Sequence, residues 1–393
     1  MKILGINFGK EKKEITTSVQ VKPEPFLSTF SSTFKNVPEG NLVLPHIMPR
    51  GNGGWVPFGA DNLYPQFLNQ MYYYSPLHNG IVNYKVLSVI GNGFELSSAI
   101  KTPQHKVDEY VFVKKNNLNS MARQLTNDLV LHGRVCVLVN KSENGKVSLK
   151  RLGPETIRVY EDKTKFDWSP DWSRRQSIKT LSEYDPSILG ESLYYYEIDL
   201  VAGQEYYPLP HYTAAMHDIF LDGEMAYLQK SNIVNSIYPS FMITLAKKFG
   251  SDAELQQYKN TIENAKGAPN AGRILSFIAP DGSSLPTITP IPTNNNDKLF
   301  TETTKRVDDD ICRVHLISPL LMGIRVPGSL GQGNELEKEW TIFQHTFVKP
   351  TRLQIEEILN DLFEIGGVAS HVTVRDYQII DNVIVDKTQK TKI

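Results

Sequence analysis

The feature that most constrains this chain is an apolar pattern that runs straight through a proline. Leu336, Trp340, Phe343 and Phe347 recur at helical spacing, and "TRLQIEEILNDLF", residues 351–363, carries the same stripe beyond Pro350. Steps of three and four put such side chains on one face only in a helix, so both halves must be helical. Pro350 lacks an N–H and crowds the carbonyl of Thr346. A kink is therefore expected there, with the helix going on beyond it. Asn334, with Glu337 three residues later, supplies a cap pair for its start.

Immediately upstream, "GIRVPGSLGQGNE" places Gly328, Gly331 and Gly333 close together, which raises the question of a phosphate loop. A nucleotide P-loop needs Gly-Lys-Ser/Thr after its fourth spacer residue, because the lysine reaches the phosphates and the hydroxyl holds magnesium. Here Asn334 and Glu335 follow Gly333, and the lysine is missing. The dinucleotide fingerprint fails as well, since the order is G-x-x-G-x-G with no evident βαβ unit around it. The first residues, "ILGINFGKE", resemble the first phosphate loop of the actin and sugar-kinase superfamily, but Asn7 stands where the metal-positioning carboxylate would be, and no second phosphate loop matches.

At 393 residues the chain has room for two or three compact units, and 40% hydrophobic residues suffice for real cores. With 42 basic and 43 acidic side chains the formal charge is −1, so no global attraction to nucleic acid or an anionic membrane is expected. Cys136 and Cys312 each sit in an apolar pattern, which predicts two buried thiols in a reducing compartment. No signal-peptide layout and no apolar run near the ~20 residues of a bilayer span is present, so a soluble intracellular protein is expected.

Residues 1–51 show no sustained period and read as an arm. Ser75 and Pro76 cap a helix that Gly91 ends; a second helix over 118–132 ends at Gly133. "RVCVLVN" and "VSLKRL" then form a hairpin signalled by Asn144 and Gly145. Residues 192–228 are aromatic and strand-like, broken by Pro208 and Pro210. Ile233, Ile237, Phe241 and Leu245 predict a helix over 232–249. A polar helix starting at Ser251 and two short strands, "GRILSFIAP" and "TITPIPT", follow. Phe300, Thr304, Val307, Ile311 and Val314 then draw a narrow apolar seam on a charged helix over 297–314. A last strand, "SHVTVRDYQII", precedes a basic tail, and the fold class is α+β.

No residue set is placed for catalysis or for a metal. His211 and His217 are six apart, a spacing that meets neither the His-Glu-x-x-His nor the calcium-loop pattern, so they read as surface strand and turn residues despite Asp218, Asp222 and Glu224 nearby. Asp308, Asp309 and Asp310 fan out over about 200° of a helix and cannot converge on one ion. There is no G-x-S-x-G elbow, and no cofactor is expected.

In order and spacing, these segments resemble the portal proteins of tailed bacteriophages. The resemblance rests on "DNLYPQFL", "SPLHNGIVNYKVLSVIGNGFEL", "DLVLHGRVCVLVN" with "GKVSLKRLGPETIRVY", "SIYPSF", "NAKGAPNAGRILSF" and "VDDDICRVHLISPLLMGIRVPGSLGQGNELEKEWTIFQHTFVKP", and it covers residues 52–365. It implies a portal-type fold: an arm at 1–51, an α/β wing at 52–228 joined by the last strand, stem helices at 229–250 and 296–314, a small α/β clip insert at 251–295, a tunnel loop at 315–333, a long kinked tunnel helix at 334–365 and a C-terminal strand and tail at 366–393. The tail reads as strand plus polar end, where family members often have a helical crown.

The resemblance further implies a non-enzymatic ring of twelve copies at one capsid vertex of the virion, assembled in the host cytoplasm. Double-stranded DNA passes through it without sequence preference, and the major capsid protein, the terminase large subunit and a neck or adaptor protein dock on it. Arg325, Ser329, Gln332, Asn334 and Lys338 would face the DNA, Gly328, Gly331 and Gly333 would keep the loop supple, and Pro350 would set the kink. For Arg325 and Lys338 the competing expectation is an ordinary salt bridge to Glu335 or Glu339. Two other functions compete with the whole: a nucleotide-dependent kinase or ATPase using "GINFGK", and a different virion ring component such as an adaptor.

Overall fold

A computed structural model of the chain describes residues 54–174, 177–201, 203–235, 241–244, 287–290, 296–324 and 334–376, with single positions at 47, 253, 256 and 260, all within a unit spanning 40–393. The order of elements is α1 (Tyr64–Tyr74), α2 (Pro76–Ile90), β1 (Phe94–Ser97), α3 (Pro103–Lys115), α4 (Leu118–His132), β2 (Arg134–Lys141), β3 (Val147–Leu152), β4 (Ile157–Val159), β5 (Lys165–Trp168), β6 (Lys179–Ser182) and β7 (Gly190–Glu197). After these come α5 (Met216–Asn235), β8 (Phe241–Thr244), β9 (Thr287–Pro290), α6 (Asn296–Val314), α7 (Asn334–Phe343), α8 (Lys349–Ile365) and β10 (His371–Val374).

The centre of the molecule is α2. Ser75 caps it, its hydroxyl accepting from the His78 N–H at 3.0 Å and donating to Asp222 on α5 at 2.6 Å, while Pro76 takes the first helical position. At its other end Arg352 of α8 donates to the Ser88 and Val89 carbonyls at 3.3 and 3.4 Å, the last acceptors that the helix leaves open. Between these ends α2 packs against α1, α4, α5, α6 and α8. Ile81, Val82, Val89 and Ile90 are fully buried there, with Leu125 and Leu129 from α4 and Ile355, Ile358, Leu359 and Leu362 from α8 also in the core.

Beside this helical layer lies an antiparallel sheet in the order β3-β2-β7, with Cys136 opposite Leu152 on one side and Tyr195 on the other. Gly133 ends α4 in the left-handed conformation (φ 70°) and turns the chain into β2, as its position predicts. Asn144 and Gly145 lie in the β2–β3 connection, where Gly145 takes the positive φ. A second sheet, β4-β5-β6, carries Arg158, which is fully buried and spends its guanidinium on Asn62 Oδ1 (2.6 Å), Asn62 O (2.5 Å) and Ile157 O (2.9 Å) over the Trp172 ring. Burial lowers its pKa to about 9. The last strand, β10, pairs with β1 far back in the sequence, Phe94 opposite Val374. Cys136 and Cys312 are buried free thiols, and burial raises both to about 12.

Two expectations need correction. The strand-like stretch ending at 228 is helical from His211 onward: Pro210 precedes a single 3-10 turn, and Tyr212, Ala215, Met216, Ile219 and Met225 then bury one helical face. His211 and His217 are therefore helical residues and not strand or turn residues, while Asp222 and Glu224 bond Ser75 and Tyr74. The helix predicted over 232–249 ends at Asn235, and residues 241–244 pair as a strand with 287–290. Pro239 disfavours a continuous helix, Phe241, Ile243 and Thr244 are strand formers, and the helical spacing of Ile233, Ile237, Phe241 and Leu245 is a coincidence. The arm, most of the segment 251–286 and the C-terminal tail lie outside the described residues, although Ala253, Gln256 and Asn260 are helical, as the polar helix predicts. Among the described residues no helix is long and apolar enough to cross a membrane.

Because Ser75 serves as both cap and donor to α5, Ser75→Ala should lower the unfolding free energy by about 1–2 kcal/mol in chemical denaturation without changing the far-ultraviolet dichroism of the folded state.

Candidate functional site

The glycine-bearing segment joins α6 to α7, and its two legs are held by the same helix. On the first leg, α6 ends at Val314 and the chain passes through His315 into a short 3-10 turn, Pro319–Met322, capped by Ser318 and closed by Gly323 at φ 77°. His315 is buried, its Nε2 2.9 Å from His78 Nδ1 and its Nδ1 3.1 Å from the ammonium of Lys85, both on α2. Met322 reaches α2 at Gly80, where an added Cβ would sit 3.4 Å from the methionine methyl. On the second leg, Phe347 lies under the Lys85 ammonium, 4.0 Å from ring centre to nitrogen, and Trp340 and Phe343 meet Tyr84. Tyr212 stacks on His315 and donates to the Leu131 carbonyl at 2.5 Å, which ties the cluster to α4.

The protonation of this cluster follows from its chemistry. Below about pH 7 Lys85 is an ammonium, which only donates, so His315 then accepts at Nδ1, carries its proton on Nε2 and donates to His78 Nδ1. His78 then keeps its proton on Nε2, a buried atom with no partner among the described residues. Burial, reinforced by the nearby Lys85 charge, holds His78 down at about 3 and keeps His315 well below the usual histidine range. Burial also brings Lys85 down from its usual 10.5 to about 7.

The α7–α8 junction resolves the Pro350 question as expected: the helix continues. Gln344–Val348 forms one wide π turn in which the Lys349 N–H reaches the Gln344 carbonyl, five residues back, just before the proline that cannot donate. Phe343 and Phe347 stack across it, with ring centres 5.6 Å apart. Of the residues expected to face DNA, Asn334 opens α7, and Lys338 is exposed one turn on, with no ion pair among the described residues, so the salt bridge to Glu335 or Glu339 does not form. Its neighbours Glu335, Leu336 and Glu337 are exposed too. Arg325, Ser329, Gln332, Gly328, Gly331 and Gly333 lie outside the described residues, as do Gly5, Asn7 and Lys10 of the kinase alternative.

Elsewhere, one cluster has the residue types of a nucleophilic site. The Ser370 hydroxyl donates to Glu109 at 2.5 Å and lies 3.2 Å from His105 Nε2, while Glu109 meets that same nitrogen at 3.3 Å. A relay needs the acid on the opposite ring nitrogen, so this trio ties α3 to the start of β10 and activates nothing. Asp310 bonds both Arg306 and Arg313, at 2.9 and 2.5 Å, and no group of metal-ligating side chains occurs among the described residues.

Sequence reasoning missed the His78–Lys85–His315 cluster. The signal was present: His78, Lys85 and Ser88 fall on the same face as Ile81, so α2 has polar residues at core positions. Between pH 7 and 10.5 the unfolded chain binds more protons at Lys85 than the folded one, so this site makes stability rise with pH across that window, by as much as about 1.4 kcal/mol per unit. The lowered histidines act in the same sense at lower pH, costing stability as pH falls below 6.5. Lys85→Met should therefore flatten the rise of unfolding free energy between pH 7.5 and 9.5, measured by denaturant titration at several pH values.

No protein-family profile and no curated protein matches the sequence. Solved structures do match in fold. A chain in the neck of an empty gene transfer agent particle, computed with C6 symmetry, aligns over 80% of this chain and 85% of its own at a TM-score of 0.56 and 15% identity. One in the neck of the native particle, computed with C12 symmetry, aligns over the same shares at 0.52 and 15%. An HK97-family phage portal protein from Corynebacterium diphtheriae aligns over 78% of this chain and 94% of its own at 0.44 and 12%, too low a score to add to the argument. At these identities the likeness is one of fold: this mixed helix-and-strand chain has the fold of chains in the neck and virion of a gene transfer agent particle.

Proposed function

We propose that this chain is a portal protein of a tailed phage or phage-like particle, twelve copies forming a ring at one capsid vertex through which DNA enters and leaves. The observation that carries this reading is the fold shared with a particle neck over 80% of the chain. In this reading residues 52–228 with β10 form the wing, residues 229–250 and 296–314 the stem, residues 251–295 the clip, residues 315–333 the tunnel loop and residues 334–365 the tunnel helix. The chain does no chemistry of its own. The terminase large subunit and later a neck or adaptor protein dock on the clip, and the major capsid protein surrounds the ring, which assembles in the host cytoplasm and stays in the virion.

Physics favours such a role for the segment between α6 and α7. Each tight Lys or Arg contact to phosphate adds a salt-dependent binding term that would brake sliding. The exposed start of α7 offers one lysine among Glu335, Glu337 and the half-buried Glu339, so it repels phosphate more than it holds it. Arg325, Ser329, Gln332, Asn334 and Lys338 would touch the duplex weakly, and twelve copies of a weak contact can centre it. Legs pinned on α2 let the glycine-bearing segment yield to the passing helix without disturbing the wing.

Negative-stain imaging and native mass spectrometry of the purified protein should show rings of about twelve subunits; a stable monomer under assembly-favouring conditions would overturn the proposal. Gly331→Pro should leave ring formation intact and reduce packaged DNA severalfold in an in vivo packaging assay, and full packaging would remove loop mobility from the mechanism.

A further inference from the structure

The C-terminal end of α8 is electrostatically one-sided. Asp361 and Glu364 lie in its last turns, no basic residue does, and the open carbonyls of a helix C-terminus add partial negative charge. These carboxylates border a groove of about 640 Å³ whose other walls are largely apolar and aromatic, among them Val147, Tyr184, Pro186 and Tyr194 from the β2–β3–β7 side. The Tyr194 hydroxyl donates to Asp361 at 2.7 Å, which fixes the carboxylate at the groove wall. Lys141 is a cation at its rim, and its ammonium donates to the Pro186 carbonyl at 2.6 Å. A groove with apolar walls and acidic corners on a helix C-terminus suits an extended segment bearing aliphatic side chains followed by lysines.

The chain itself carries such a segment. Residues 377–393 read "YQIIDNVIVDKTQKTKI", an aliphatic run with Val383, Ile384 and Val385 followed by Lys387, Lys390 and Lys392. The described residues before it end at Asp376, which is paired with Arg352 on α8. Arg352 and Glu364 are roughly 18 Å apart along that helix at 1.5 Å per residue. The stretch from 377 to Lys387 spans up to ~35 Å when extended, so the lysines can reach the groove of their own subunit.

We propose that residues 383–392 dock in this groove in cis, with the aliphatic side chains against the Tyr184–Pro186–Tyr194 wall and Lys387 on Asp361 and Glu364. The docked lysine neutralises the acidic helix terminus. The reading does not depend on ring formation and can be tested on the monomer or the assembled protein.

Glu364→Cys with Lys387→Cys in the full-length chain should form an intramolecular disulfide under mild oxidation, read by peptide mass spectrometry, with Asp108→Cys plus Lys387→Cys as the control pair; the native cysteines are buried. Amide exchange over 383–387 should be at least tenfold slower than in the free peptide, return to the free rate in Glu364→Lys and recover in Glu364→Lys with Lys387→Glu. Free-peptide exchange in the unaltered protein, or crosslinking no greater than in the control, would overturn the proposal. A crosslink that runs between chains would overturn docking in cis and assign the groove to a second copy.

Discussion

Everything around the glycine-bearing segment depends on one buried cation. Lys85 is 4% exposed on the central helix of the fold, and an ammonium in such a place is costly unless each face of it is occupied. One side meets His315 from the leg before the segment, and another meets the face of Phe347 from the leg after it. The same side chain thus needs both legs, and neither leg can slide along α2 without leaving a buried amine uncompensated. A purely apolar contact at this position would hold the legs nearly as well but would tolerate a shift of register. The polar cluster costs stability, which the lowered pKa of Lys85 reports, and in return defines one arrangement.

The capping of α2 follows the same logic. Ser75 and Asp222 close one end and Arg352 closes the other, so the termini of this helix are finished by α5 and α8, far along the chain. The elements flanking the glycine-bearing segment are therefore built into the ends and the face of a helix that forms much earlier in the sequence.

Much of this was legible in the sequence where local chemistry decides structure. The Ser75–Pro76 start, the Gly133 stop, the β2–β3 hairpin and the helix over 296–314 each form as their residues predict. Where partners decide, the sequence misled. Residues 232–249 have helical spacing, yet 241–244 pair with a strand more than forty residues away, an interaction that no local window contains. Residues 192–228 are rich in aromatics and look like strand throughout, yet from His211 onward their burial against α1, α2 and α6 follows a helical face. The candidate site was half legible: Asn334, Lys338 and Pro350 fall on the expected elements, whereas the histidine–lysine cluster that anchors them joins positions more than two hundred residues apart.

The wide turn before Pro350 solves two problems at once. Phe343, Phe347, Thr351, Ile355, Leu359 and Phe363 are all buried, and they recur every four residues. On an ideal helix each such step drifts ~40° around the axis, so a row of six would wind away from α2 and α4 before reaching its end. A π turn holds more residues per turn and takes up part of that drift where it matters, between the Phe343–Phe347 stack and the α8 core. It also gives the Lys349 donor a partner beyond the usual reach, so the missing donor at Pro350 falls where the ladder is already rearranged. Proline and π turn are thus mutually supporting: the proline makes a regular ladder impossible there, and the turn returns the next apolar residues to the face that α2 and α4 require.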